Sequence, residues 1–217
     1  MKRNFLPHHR LVWMVILLGV GIFVPLFVIQ HIGGLDFWWW MSLNLFILVL
    51  LGFLLDRNWL SSLCSDFSSH VSRKLIIALA SVIVLYFVFY IGNLLSRAWF
   101  SFAGDQITGV YHFKGATSPA RILVLMALVI GPGEELYWRG FVQRHLSFRY
   151  GKWTGFLLAT SLYTVVHLAT GNFMLVMAAL ICGLFWGWLY HRYHSMVINI
   201  LSHTLWDIAV FIVLPFS

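Results

Sequence analysis

Apolar residues fall along this chain in seven long runs, at about 11–30, 37–55, 75–95, 120–143, 153–169, 172–190 and 196–215, parted by short polar turns. Most approach the roughly 20 residues that a helix needs to cross the hydrocarbon core of a bilayer. None shows the strict alternation of a barrel strand, and lipid admits spanning backbone only as helices or closed barrels. The pattern therefore predicts an all-α fold: a polytopic transmembrane helical bundle of about seven spans, within a range of six to eight. Residues 1–217 read as a single transmembrane domain, with 120–210 supplying its functional core. The first run follows Lys2, Arg3 and Arg10, as in a signal peptide. It is long enough to span and no small-x-small cleavage site follows, so it reads as a retained helix.

Composition strengthens this picture. The 217 residues are 61% hydrophobic and only 10% charged, where soluble domains carry about a quarter charged residues. One water-facing globule cannot hide so much apolar surface. The net charge of +7 would in another setting suggest nucleic acid, but here the basic residues sit mainly between the apolar runs. Anionic headgroups and the positive-inside rule account for them, so nucleic-acid binding is not expected. The N-terminal tail, the 56–74 loop, the 144–152 loop and the 191–194 turn share the cytoplasmic side on this rule. The 31–36 and 168–173 turns hold no Lys or Arg, whereas 97–121 dissents with Arg97, Lys114 and Arg121. The N-terminus is expected inside and the C-terminus outside. Cys64 and Cys182 form no C-x-x-C and fit no metal spacing.

Three apolar runs carry polar residues that lipid would not tolerate. The chain has two Glu, and they adjoin: Glu134 and Glu135, in the middle of the fourth run. A charge at that depth costs on the order of 3 kcal/mol, which marks such residues as functional candidates. Gly131-Pro132-Gly133 just before them is expected to break the helix and restart it, leaving acidic groups beside a new N-terminus. Glu135 and Arg139 stand at i and i+4 and can pair, so Glu134 lacks a local partner. In the seventh run Ser195, Asn199, His203 and Asp207 recur every four residues as one polar stripe. In the fifth, Thr160, Tyr163, Thr164 and His167 share a face. Each segment alone also reads as packing: a buried ion pair, interhelical hydrogen bonding, or a satisfied histidine. Counted at 1.5 Å per residue from the nearest basic residue, Glu134 and His203 lie about 15 Å deep and His167 about 22 Å. All three therefore reach the middle of the membrane, where contact becomes feasible. His191 and His194 flank Arg192 in a turn and read as headgroup contacts, as His8 and His9 read as tail residues. Trp38, Trp39 and Trp40 read as an interfacial belt.

These residues resemble the CAAX-protease and bacteriocin-processing (CPBP) family of intramembrane proteases, which includes the Ras-converting endopeptidases. Its pattern is E-E-x-x-x-R, then F-x-x-x-H, then H-x-x-x-N/D, on successive membrane helices. Here the first motif runs from Glu134-Glu135 to Arg139. The second runs from Tyr163, with Tyr where Phe is usual, to His167. The third runs from His203 to Asp207, in its Asp form. Order and spacing fit over residues 134–207, about a third of the chain. The Tyr163 hydroxyl needs a partner and either leaves packing unchanged or adds a hydrogen bond to the site.

The resemblance implies an integral protein, expected in a bacterial cytoplasmic membrane, that hydrolyses a peptide bond near the end of a membrane-associated protein or peptide. The bilayer is its other partner. On this reading Glu134 activates water, His167 helps to hold it, and Glu135 with Arg139 orients the pair. His203 faces the developing oxyanion with Asp207 beside it. No cofactor is then needed. The alternative is a divalent metal such as zinc, held by Glu134, His167, His203 and Asp207; with no H-E-x-x-H and a zinc shell that would consume the base, the metal-free form is preferred. The competing class is a non-proteolytic membrane protein, either an immunity or scaffold factor or a proton-coupled transporter. No repeated pair of broken helices supports transport.

Overall fold

Polar caps set where the apolar runs begin to coil. Asp36 accepts a hydrogen bond from the backbone N–H of Trp39, Asn172 from Leu175, and Ser195 from Ile198, each satisfying a donor that a helix start leaves free. Ser118 does the same for Arg121, with Pro119 in the first turn, where its missing N–H costs nothing. The structure, a computed structural model, describes residues 9–216, without the side chains at 57 and 58. Lys2, Arg3 and His8 lie outside the described residues.

The described chain is all-α, with no strand. Its helices are α1 (His9–Ile29), α2 (Phe37–Leu55), α3 (Arg57–Ser68), α4 (Val71–Trp99), α5 (Ala103–Tyr111), α6 (Pro119–Tyr150), α7 (Lys152–His167), α8 (Phe173–Tyr193) and α9 (Met196–Val213). Among the described residues five of them, α1, α2, α4, α8 and α9, are long and apolar enough to cross a membrane. The count is six if α5 and α6, which meet at 87°, form one span. The seven apolar runs therefore yield five or six such helices. The run at 120–143 counts only as part of the bent α5–α6 pair, and the run at 153–169 not at all: it folds as the 16-residue α7 and then tightens into a turn at Leu168–Thr170. At about 24 Å, α7 falls short of a hydrocarbon core of about 30 Å.

The contacts sort the bundle into two ends. At one, Asp56 pairs with Arg144 at 2.6 Å, and Asp66 accepts from Lys74, Ser195 and the Val197 N–H. There Asp66 ties α3 to the start of α9. At the other, Asp36 pairs with Arg121, Asn172 donates to the Gln106 carbonyl, and Arg97 donates to the Phe216 carbonyl. Between the ends the interior is packed with aromatic and branched side chains, among them Phe23, Tyr137, Phe141 and Trp186.

The expected break at Gly131-Pro132-Gly133 does not occur. Helix α6 continues through it, and the bend near it lies at the α5–α6 junction instead. Two wider π-helical stretches, Met126–Ile130 and Leu136–Gln143, flank the segment. Their i→i+5 pattern shifts the hydrogen-bond register around Pro132, so its missing N–H need not open the helix. The glycines serve close approach. A Cβ on Gly131 would stand 2.3 Å from Thr204 Oγ1, and one on Gly133 would stand 3.1 Å from Leu45 Cβ. They let α6 lie against α9 and α2 at the level of the two glutamates.

Candidate active site

Adjacent glutamates on a helix point about 100° apart, and here that separation gives them different surroundings. Glu135 faces the interior and is fully buried. Its Oε1 accepts from Arg139 at 2.8 Å and from His203 Nδ1 at 2.7 Å, and its Oε2 accepts from Asn199 at 2.9 Å. Arg139 donates also to the Cys182 carbonyl and lies over the ring of Tyr163. Three donors from two helices thus fix one carboxylate. A charge so deep is tolerable only with such compensation.

Glu134 turns instead to a cavity. Its one side-chain hydrogen bond among the described residues comes from the Tyr163 hydroxyl to Oε2, at 3.1 Å. The expectation that Glu134 lacks a partner holds within α6 but not across helices: the hydroxyl on Tyr163 finds its acceptor there. One turn along α7, His167 Nδ1 donates to the Tyr163 carbonyl at 2.7 Å, which leaves Nε2 as an acceptor on the neutral ring. The His167 ring is held between Phe27 and Tyr163.

His203 is held on three sides. Nδ1 donates to Glu135, Nε2 stands 3.4 Å from Asp207 Oδ2, and the ring stacks on Trp186 with centroids 3.6 Å apart. Trp186 is itself anchored, donating to Ser202, while Ser81 of α4 donates to the same hydroxyl. The Asn199 side chain bridges Glu135 and the Trp186 carbonyl.

The cavity, about 470 Å³, is lined at its polar end by Glu134, Tyr163, His167, His203 and Asp207. Most of the remaining wall is apolar and aromatic, including Phe27, Trp38, Phe89, Trp99, Phe173 and Phe211. Of the seven motif residues five line it; Glu135 and Arg139 lie behind it. Sequence reading missed Trp186 and Ser202, and it placed Asn199 only on a polar stripe. A serine or asparagine recurring in register with His203 was a signal for Asn199, whereas a tryptophan in an apolar run carries none.

Among the described residues no group of three or more His, Cys, Asp and Glu side chains is arranged to hold an ion. His203 Nδ1 is bonded to Glu135 and Glu134 Oε2 to Tyr163, which leaves His203 Nε2 and the second oxygen of Glu134 for any further partner.

No curated protein and no solved structure matches the chain. A family model does: that described as Type II CAAX prenyl endopeptidase Rce1-like, over residues 116–209. That span contains Glu134, Glu135, Arg139, Tyr163, His167, His203 and Asp207, the residues that build and back the polar end of the cavity. Residues 116–209 of this integral membrane protein are thus similar to the type II CAAX prenyl endopeptidases described as Rce1-like.

Proposed function

We propose that this protein is an intramembrane endopeptidase that cleaves a membrane-associated peptide with a water activated by Glu134. The match of residues 116–209 to an endopeptidase family model supports the protease class, and the two unlike glutamates carry the finer reading. Glu135 is spent on Arg139, Asn199 and His203, whereas Glu134 is steadied through one oxygen by Tyr163 and keeps the other for a ligand in the cavity. A general base has to be fixed in place yet free at one lone pair.

The chemistry follows from these positions. Glu134 takes a proton from water, and the hydroxide attacks the peptide carbonyl carbon. His167 Nε2 accepts the water's second hydrogen and holds it in line. His203 donates to the oxygen on which negative charge develops. Glu134 then returns its proton to the leaving nitrogen as the C–N bond breaks. Glu135, Arg139, Asn199 and Trp186 are positioning residues, since they fix His203 and the helix that carries Glu134. No step requires a metal or cofactor. The apolar wall supplies room for the hydrophobic part of a membrane-bound substrate.

The test is comparative proteomics of membranes from cells with the wild type and with Glu134→Gln. Peptides ending at a new C-terminus should appear only with the wild type. Identical terminal peptides in both would remove this reading.

A further inference from the structure

The cavity occupies one half of the bundle. Its lining residues come from the last turns of α1 (Phe27), the first turns of α2 (Phe37, Met41), the second half of α4, the second half of α5, the first half of α6, the end of α7, the first two thirds of α8 and α9 from His203 on. Its polar end is at mid-helix depth, at Glu134 and His203. None of its wall comes from α4 before Val88, from α6 after Glu134, or from α9 before His203. It therefore lies wholly between the glutamates and the end where Asp36 meets Arg121 and Asn172 meets Gln106.

It also reaches the surface in that half. The exposed lining residues are Val88, Leu95, Trp99 and Phe100 near the end of α4, and Phe173 at the start of α8; the polar end is buried. The opening is thus bordered by two helices that start or stop at the same end.

Charge separates the two ends. Arg10, Arg73, Lys74, Arg144, Arg149, Lys152 and Arg192 sit at the far end, away from the cavity. On the cavity's end, among the described residues, the Lys and Arg are Arg97, Lys114 and Arg121, and Arg121 is neutralised by Asp36. By the positive-inside rule the far end is cytoplasmic.

We infer that the substrate reaches the site from the non-cytoplasmic leaflet, through the gap between the second half of α4 and the start of α8. The substrate class is accordingly an exported polypeptide anchored in that leaflet, presenting its scissile bond downward to Glu134. This rests on the protease reading for the word substrate, but the sidedness of the cavity does not.

The chain holds its own reference point. Cys64 is exposed on α3 at the basic end, and Ser96 lines the cavity at the other. A membrane-impermeant maleimide is added to intact cells producing Ser96→Cys, and modified cysteines are located by peptide mapping. Leu95→Cys serves as a second position in case the first variant does not accumulate. The cavity position should be labelled in intact cells and Cys64 only after permeabilisation. The reverse order overturns the inference. Modification from outside should also lower release of cleaved peptide at least tenfold in Ser96→Cys and not in the wild type; unchanged release would overturn the route. Labelling as expected, with no cleavage even by the untreated wild type, would remove the protease reading and leave the sidedness supported.

Discussion

The Tyr163 hydroxyl donates to Glu134 Oε2 across 3.1 Å, joining the second motif helix to the first at the floor of the cavity. Where the family pattern has Phe, this chain has a ring that also holds the proposed base. Tyr163→Phe keeps the ring against Trp138 and His167 and removes only that bond. The account predicts a fall of about tenfold in kcat with KM little changed, because a neutral-donor bond to a carboxylate is worth about 1.5 kcal/mol. In a Glu134→Gln background the same substitution should add nothing. Steady-state kinetics of the single and double variants check this.

The two glutamates should fail differently when changed. Glu134→Gln keeps an acceptor for Tyr163 and should accumulate and melt like the wild type. Glu135→Ala leaves Arg139, Asn199 and His203 without their shared acceptor. Stranding a buried partner of an ion pair costs about 3–5 kcal/mol. Membrane accumulation and thermal stability in detergent should therefore drop for Glu135→Ala alone.

Much of this was legible in the sequence, and the misses have physical causes. The E-E-x-x-x-R spacing gave the Glu135–Arg139 pair because helix periodicity is local. The four-residue stripe placed Asn199, His203 and Asp207 on one face, and three lie around the site. What pattern could not supply was which helix met which. The bond from Tyr163 to Glu134 and the stack of His203 on Trp186 are contacts across helices. Gly131-Pro132-Gly133 misled because the same residues that break an isolated helix also allow close packing. Thr204 against Gly131 decides between those outcomes, and it lies 73 positions away in sequence (204 − 131). The missing length of α7 was likewise hidden, since the apolar run continues into a tight turn.

Gly131→Ala tests that packing. The added methyl would meet Thr204 Oγ1 at 2.3 Å and Thr204 Cα at 3.1 Å. Overpacking of this kind costs about 1–3 kcal/mol, and separating α6 from α9 moves Glu135 away from His203. A lowered melting temperature together with a lowered kcat is expected. Removing the Thr204 side-chain oxygen, as Thr204→Ala, should recover part of both.

Asp207 separates the metal-free account from its alternative. His203 Nδ1 is committed to Glu135, so a proton must lie between Nε2 and Asp207 Oδ2 for their 3.4 Å contact to attract. Asn keeps an oxygen that can accept from Nε2–H and adds an amide N–H that can donate to the developing oxyanion. Asp207→Asn should retain substantial cleavage, and strong chelators should leave the wild type active. Stoichiometric metal in the purified protein, lost with activity in Asp207→Asn, would reverse this assignment.

The central claim is that Glu134 activates the water that opens the peptide bond. The direct measurement is oxygen-isotope incorporation: membranes containing the wild type or Glu134→Gln are incubated in heavy-oxygen water, and newly formed peptide C-termini are read by mass spectrometry. The account predicts labelled C-termini with the wild type and their loss by at least a thousandfold with Glu134→Gln, at equal protein level. Labelled C-termini at wild-type rate from the Gln variant would contradict it.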